Sequence, residues 1–128
     1  MIVLDYKDRR PIYEQIVDKI SELILNGVLK PDEKMPSVRN LAMELSINPN
    51  TIQRAYGELE RRGFLYSVKG KGNFVSDNKE LLEIRQIEII KDLSRQIQQA
   101  KEYRIQKEEI CEMVNQIYGG GQDNDRNS

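Results

Sequence analysis

The chain has no histidine, no tryptophan and a single cysteine, Cys111. One thiol allows no internal disulfide, and without histidine the ordinary Cys/His zinc sites are excluded. The commonest general base is missing as well, which leaves little for acid–base catalysis. No apolar run is long enough to span a bilayer. The opening, MIVLDYKDRR, has neither an extended apolar stretch nor a small-residue cleavage site, so no signal peptide is expected. A reducing cytoplasm is the expected location, and no membrane, metal or cofactor is expected as a partner. A strong net charge is also lacking: 20 Lys and Arg against 21 Asp and Glu give −1. The usual footprint of nucleic-acid binding is a basic domain. It is absent from the whole chain, yet it exists locally. Residues 48–75 carry five cations (Arg54, Arg61, Arg62, Lys69, Lys71) against Glu58 and Glu60, a balance of +3. From residue 78 onward acids outnumber bases. Salt screens distant charges, so the local balance counts most.

At 128 residues the chain is one small domain, or one domain with an appendage. Residues 2–4 suggest a short strand. Ile12, Ile16, Ile20, Leu23 and Ile24 recur at helical spacing, which predicts a first helix over residues 11–26 with Pro11 in its first turn and Gly27 at its stop. Residues 28–36 read as a connector. Ser37 then caps a short second helix with Val38, Leu41, Ala42 and Leu45 inward. Ser46 and Ile47 make a turn, and Asn48-Pro49 opens a third helix that buries Ile52, Ala55, Tyr56 and Leu59 and ends at Gly63. After that the period changes to that of strands. Residues 64–68 and 73–75 flank Lys69-Gly70-Lys71-Gly72, a glycine-rich hairpin turn. Three helices and such a hairpin make a winged helix-turn-helix, so the expected fold is mainly α with a small β-hairpin.

Residues 79–102 contain no glycine or proline and predict one long helix, about 36 Å at 1.5 Å per residue. Its apolar positions Ile84, Ile87, Ile90, Leu93, Ile97 and Ala100 follow a 3-3-3-4-3 spacing, read as a single face. A second short helix is expected over residues 107–118. One helix hairpin cannot bury that face alone. A two-fold contact with a second copy would cover Ile84, Ile87, Ile90, Leu93 and Ile97; packing against the chain's own winged helix is the plainer alternative. The expected division is a winged helix-turn-helix over residues 1–77, a helical dimerisation segment over 78–118 and a disordered tail over 119–128.

The third helix carries the candidate chemistry. With Ile52 inward, Asn50, Thr51, Gln53 and Arg54 lie near the exposed helix start. Amides and guanidinium groups can pair with base edges in a major groove. Thr51 and the N–H groups of the first turn can hold a phosphate. As plain structure, Asn48 would be only a cap and the others solvated. Arg39 can lean toward the same groove or pair with Glu44 or Asp32. The tip Lys69-Gly70-Lys71-Gly72 offers two cations and open backbone for a narrow groove, or is simply a hydrophilic hairpin. It is no nucleotide loop, since neither GxxxxGK[ST] nor GxGxxG is present. Cys111, beside Glu109 and Glu112, reads as a packing residue, and no catalytic constellation is visible.

Four ordered blocks carry a resemblance: Pro11-Ile-Tyr-Glu-Gln-Ile, Met35-Pro-Ser-Val-Arg-Asn-Leu-Ala, Asn48-Pro-Asn-Thr-Ile-Gln-Arg-Ala-Tyr and Gly70-Lys-Gly-Asn-Phe-Val. Together they resemble the GntR family of bacterial transcription regulators. The Asn-Pro-Asn-Thr start and the short helical tail are most similar to its YtrA-like subfamily. The resemblance implies a homodimeric repressor that binds double-stranded DNA, with contacts from Ser37, Arg39, Asn48, Asn50, Thr51 and Gln53 and from Lys69 and Gly70 on the wing. Some members of the family have arginines where this chain has Pro49 and Gln53, so their guanine contacts do not carry over. Larger members also have an effector domain. The roughly fifty residues after the wing leave no room for one, and no small-molecule effector is identified.

Overall fold

The computed structural model describes residues 2–119. Five helices and one two-stranded sheet follow in the order α1 (Ile12–Leu25), α2 (Val38–Leu45), α3 (Pro49–Arg61), β1 (Leu65–Val68), β2 (Gly72–Val75), α4 (Lys79–Glu102) and α5 (Lys107–Gly119). The expected tail lies, apart from Gly119 in α5, outside the described residues. The chain forms two compact units, residues 1–83 and 84–128, with the boundary inside α4.

The first unit is built on three apolar helix stripes. Ile16, Val17, Ile20 and Ile24 of α1, Leu41 and Ala42 of α2, and Ile52, Ala55, Tyr56 and Leu59 of α3 are buried together with Met35, Leu65 and Val75. The Tyr56 phenol donates to the Pro36 carbonyl at 2.7 Å. Burial, with Glu44 adding to it, pushes that phenol up to about 12. Residues 2–4 form no strand. Ile2 and Leu4 pack on the core instead, and the chain is pinned beyond them by buried Gln15, whose side chain accepts the Asp5 N–H and donates to the Asp5 and Arg10 carbonyls. A lone apolar segment has no strand to pair with there.

Four helices stop in the same way. At the ends of α1, α2, α3 and α4 a residue of positive φ (Gly27, Ser46, Gly63, Arg104) is followed by one whose N–H reaches back five residues, as in Val28 to Leu23, Ile47 to Ala42, Phe64 to Leu59 and Ile105 to Ala100. In α2 this makes the tight turn into α3. The strands pair antiparallel with Leu65 opposite Val75 and Val68 opposite Gly72. Residues 32–35 are more than a connector. Met35 N–H donates to Asn73 O, Val75 N–H to Glu33 O and Asp32 N–H to Val75 O, so this segment lines the free edge of β2.

In the second unit α4 and α5 have no buried residue. The long helix runs over the expected residues, but its apolar positions do not share one face. Each step of three residues falls about 60° short of a full turn, so Ile84 and Leu93, nine residues apart, point to opposite sides. Ile89, Ile90, Leu93, Ile97 and Ala100 form one face; Ile84 and Ile87 lie on the other. Between α4 and α5 runs a groove of about 510 Å³ lined by Ile97, Ala100, Ile105, Ile110 and Cys111, with Lys101 and Lys107 at its edge. Cys111 is exposed, not a packed core residue.

Candidate nucleic-acid interface

The start of α3 is fixed by its cap. Asn48 is extended, its side-chain oxygen accepts the Asn50 N–H at 2.8 Å, and Pro49 follows with no N–H of its own. The Asn48 carbonyl takes the Thr51 N–H at 2.9 Å. The first turn therefore offers no free N–H to a phosphate, contrary to the expectation from sequence. What it offers is side chains. Burial of Ile52, Ala55 and Tyr56 leaves Asn50, Gln53 and Arg54 exposed and Thr51 half-buried. Asn50 and Gln53 are three residues apart and share a face, as do Thr51 and Arg54.

Ser37 caps α2 in the same manner, its hydroxyl oxygen accepting the Asn40 N–H at 3.0 Å. Arg39, in the first turn of α2, is exposed and forms no ion pair among the described residues. Asp32, one of its two possible partners, instead accepts the Tyr66 hydroxyl at 2.7 Å.

The wing is a braced hairpin. Lys71 N–H donates to Val68 O at 2.9 Å, closing a turn whose third residue, Gly70, has φ +78°, the left-handed position that a type II turn reserves for glycine. Below the tip, Tyr66 stacks on Phe74 with ring centroids 5.6 Å apart. The Ser67 hydroxyl donates to Glu60 of α3 at 3.1 Å and lies 3.0 Å from the Asn73 amide oxygen. Lys69, Gly70, Lys71 and Gly72 are all exposed, and neither lysine has an ion-pair partner among the described residues. By contrast, Arg61 and Arg62 at the far end of α3 are held by Glu58, whose carboxyl Arg61 and then Arg62 pull down to about 2. The free cations of the first unit thus include Arg39 and the wing lysines, while Arg61 and Arg62 share one neighbouring carboxylate.

Two side chains at this surface have no clear signal in the sequence. Tyr13, in the first turn of α1, lies under the Arg54 guanidinium, 3.8 Å from ring centroid to guanidinium carbon. These two residues, with Pro11, Ile12, Asn50 and Thr51, line one open cleft. Lys34 sits opposite Phe74 on the edge segment, and its Cε would lie 3.4 Å from a Cβ placed on Gly72, so its side chain runs toward the wing tip. The expected interface residues of the second unit, Ile84, Ile87, Ile90, Leu93 and Ile97, are all exposed, between 43% and 63%. No helix of the described residues is long and apolar enough to cross a membrane.

Residues 12–75 match the model of the bacterial regulatory proteins of the gntR family. The HTH-type transcriptional repressor YtrA of Bacillus subtilis is 38% identical over 98% of this chain and all of its own length. A transcriptional regulator from Oenococcus oeni has a similar structure, with a TM-score of 0.73, 32% identity and coverage of 93% of this chain and all of that one. The AraR DNA-binding domain in complex with operator ORR3 matches with a TM-score of 0.51 and 36% identity, over 58% of this chain and 89% of that one. These are regulators and not enzymes, and the matched span runs from α1 through the wing. Over nearly all of its length the chain is similar to the YtrA-type regulators, and it belongs to the GntR family of bacterial regulatory proteins.

Proposed function

We propose that this protein is a sequence-specific DNA-binding transcription regulator: a cytoplasmic homodimeric repressor acting on a two-fold-symmetric operator. One observation carries the proposal. Asn50 and Gln53 stand a turn apart at the start of α3, exposed, and make no side-chain hydrogen bond among the described residues. Donor–acceptor amides in that position suit adenine edges in a major groove, and the unpaired Arg39 suits a guanine or a phosphate. The contact set is Ser37, Arg39, Asn48, Asn50, Thr51, Gln53 and Arg54, with Lys69, Gly70, Lys71 and Gly72 of the wing on the adjacent minor groove. The operator-bound AraR domain supports DNA as the partner, and the repressor named among the full-length relatives supports the sign of regulation.

The dimer is supported by surface that a lone protomer leaves wet. Ile90, Leu93 and Ile97 are about half exposed, and covering what remains of each would contribute roughly 1 kcal/mol. A two-fold axis through the C-terminal helices would set two α3 starts on half-sites a helical turn or more apart.

Selection of bound sequences from a random duplex pool tests both parts at once. A motif with two-fold symmetry is the expected outcome, with affinity that falls steeply as salt rises. A winged helix serving only as a protein-interaction module would enrich no motif, and that result would end the proposal.

A further inference from the structure

The Arg54 guanidinium does not reach out freely from α3; it lies 3.8 Å over the ring of Tyr13, on a different helix. We propose that Tyr13 is a positioning residue that aims Arg54 at the DNA backbone, so that this arginine contacts a phosphate and reads no base. The inference rests on the DNA-binding reading above and adds to it a residue outside the helix-turn-helix, together with the kind of contact that residue controls.

Three observations lead there. First, Arg54 is exposed and has no carboxylate partner among the described residues, so its charge is available to a ligand. Second, a guanidinium stacked on an aromatic face keeps its N–H edge for hydrogen bonds, and the stack removes rotamers that an unheld arginine would have to give up on binding. Third, the direction is sideways. Burial of Ile52, Ala55, Tyr56 and Leu59 puts the backbone positions of Asn50 and Arg54, one turn apart, on the outward face of α3, yet the Arg54 guanidinium is drawn back from that face over Tyr13 in the first turn of α1. A helix lying in a major groove meets base edges along its outward face and the phosphate walls on its flanks. Held over α1, the Arg54 guanidinium lies to one side of the outward face, where a phosphate wall would run.

Tyr13 is half-buried and packs against the core, so its substitutions need a check on folding. The test uses the full chain and a random-sequence duplex of about 30 base pairs, with affinity followed across a salt series. Arg54→Ala should weaken binding about tenfold and lower the salt slope by about one. Tyr13→Leu should weaken it about two- to fivefold, the range of an exposed cation–π contact. Tyr13→Phe should restore wild-type affinity, because the ring face does the work and the hydroxyl does not. The double variant Tyr13→Leu/Arg54→Ala should bind like Arg54→Ala alone. Independently of any binding, the ring should shift the Arg54 side-chain proton resonances upfield in the wild type and in Tyr13→Phe. This keeps the inference open to refutation if Tyr13→Leu does not fold. An indifferent Tyr13→Leu, additive losses in the double variant, a Tyr13→Phe as weak as Tyr13→Leu, or unshifted Arg54 resonances would each overturn the inference while leaving DNA binding intact. Wild-type protein that binds no duplex would overturn the DNA-binding reading and this inference together.

Discussion

The side-chain oxygen of Asn48 accepts the backbone N–H of Asn50 at 2.8 Å. That bond decides where α3 begins, and so where Asn50 and Gln53 are presented. It also separates two roles of Asn48 that a single substitution would confuse. Asn48→Ala removes the cap and should cost about 1 kcal/mol of stability. Asn48→Asp keeps an oxygen acceptor at the same place, so thermal stability should hold within about 0.5 kcal/mol. Its new carboxylate, however, would face a polyanion, and duplex affinity should fall. Thermal melts and binding isotherms on the two variants check this. Equal melting losses in both would mean that the cap is not what Asn48 supplies.

The wing carries a third cation. Lys34 runs along β2 toward the tip, its Cε within ordinary contact distance of a Cβ added at Gly72. Lys34→Ala should weaken binding to all sequences alike and reduce the salt slope by about one, as expected of a phosphate contact. Gly72→Ala tests the frame instead of the charge. Its φ of +115° is strained for any side chain, at about 1–3 kcal/mol, whereas the flexible lysine end can move aside. A lower melting temperature for Gly72→Ala that persists in a Lys34→Ala background is the expected outcome. Recovery in that background would assign the cost to the lysine.

Where local chemistry decides the structure, the sequence was legible. Asn48-Pro49 marks the start of α3 because a side-chain acceptor and a residue without N–H solve the same end problem. The absence of glycine and proline over residues 79–102 marks α4 to its ends. Pairing through the backbone leaves no such mark. Asp32, Glu33 and Lys34 are charged and show no alternation, yet their main chain lines β2. Arg104 turns the chain with positive φ where no glycine announces it. The contact between Tyr13 and Arg54 joins residues 41 positions apart, and nothing in either segment names the other. The face of α4 is a different matter: residue spacing suggests one stripe, while the accumulated angle shows two.

Glu58 gives a pH signature to the end of α3. Its carboxyl, held by Arg61 and Arg62, titrates at about 2 in the folded chain against an ordinary value of 4.5. A depressed carboxylate stabilises the fold above its unfolded pKa, and that contribution is lost as pH falls through the folded one. Glu58→Gln should therefore melt below the wild type at pH 7, and the two should converge between pH 4.5 and 2. Both arginines are exposed and Glu58 is only partly covered, so the gap should be small and should shrink in salt. A gap of the same size at pH 2 would rule out the carboxylate as its source.

The two faces of α4 make the proposed dimer testable in detail. Leu93 and Ile97 lie on the face that continues into the α4–α5 groove, since Ile97 and Ala100 line both. Ile84 points the opposite way. A straight helix can bury only one of these faces against a two-fold partner, and the longer one, joined to a groove, removes more apolar surface from water. In a two-fold interface each substitution acts twice. Leu93→Glu should therefore weaken dimerisation by about 1.5–3 kcal/mol per dimer, twice the half of a leucine's burial that the single chain leaves undone. Leu93 is 51% exposed in the single chain, so the helix content should not change. Ile84→Glu should have a much smaller effect on self-association. Sedimentation velocity across a concentration series distinguishes the two, and operator affinity should fall with the dimer. If Ile84→Glu dissociates the dimer and Leu93→Glu leaves it whole, the partner sits on the other side of α4 and the groove is not part of the interface.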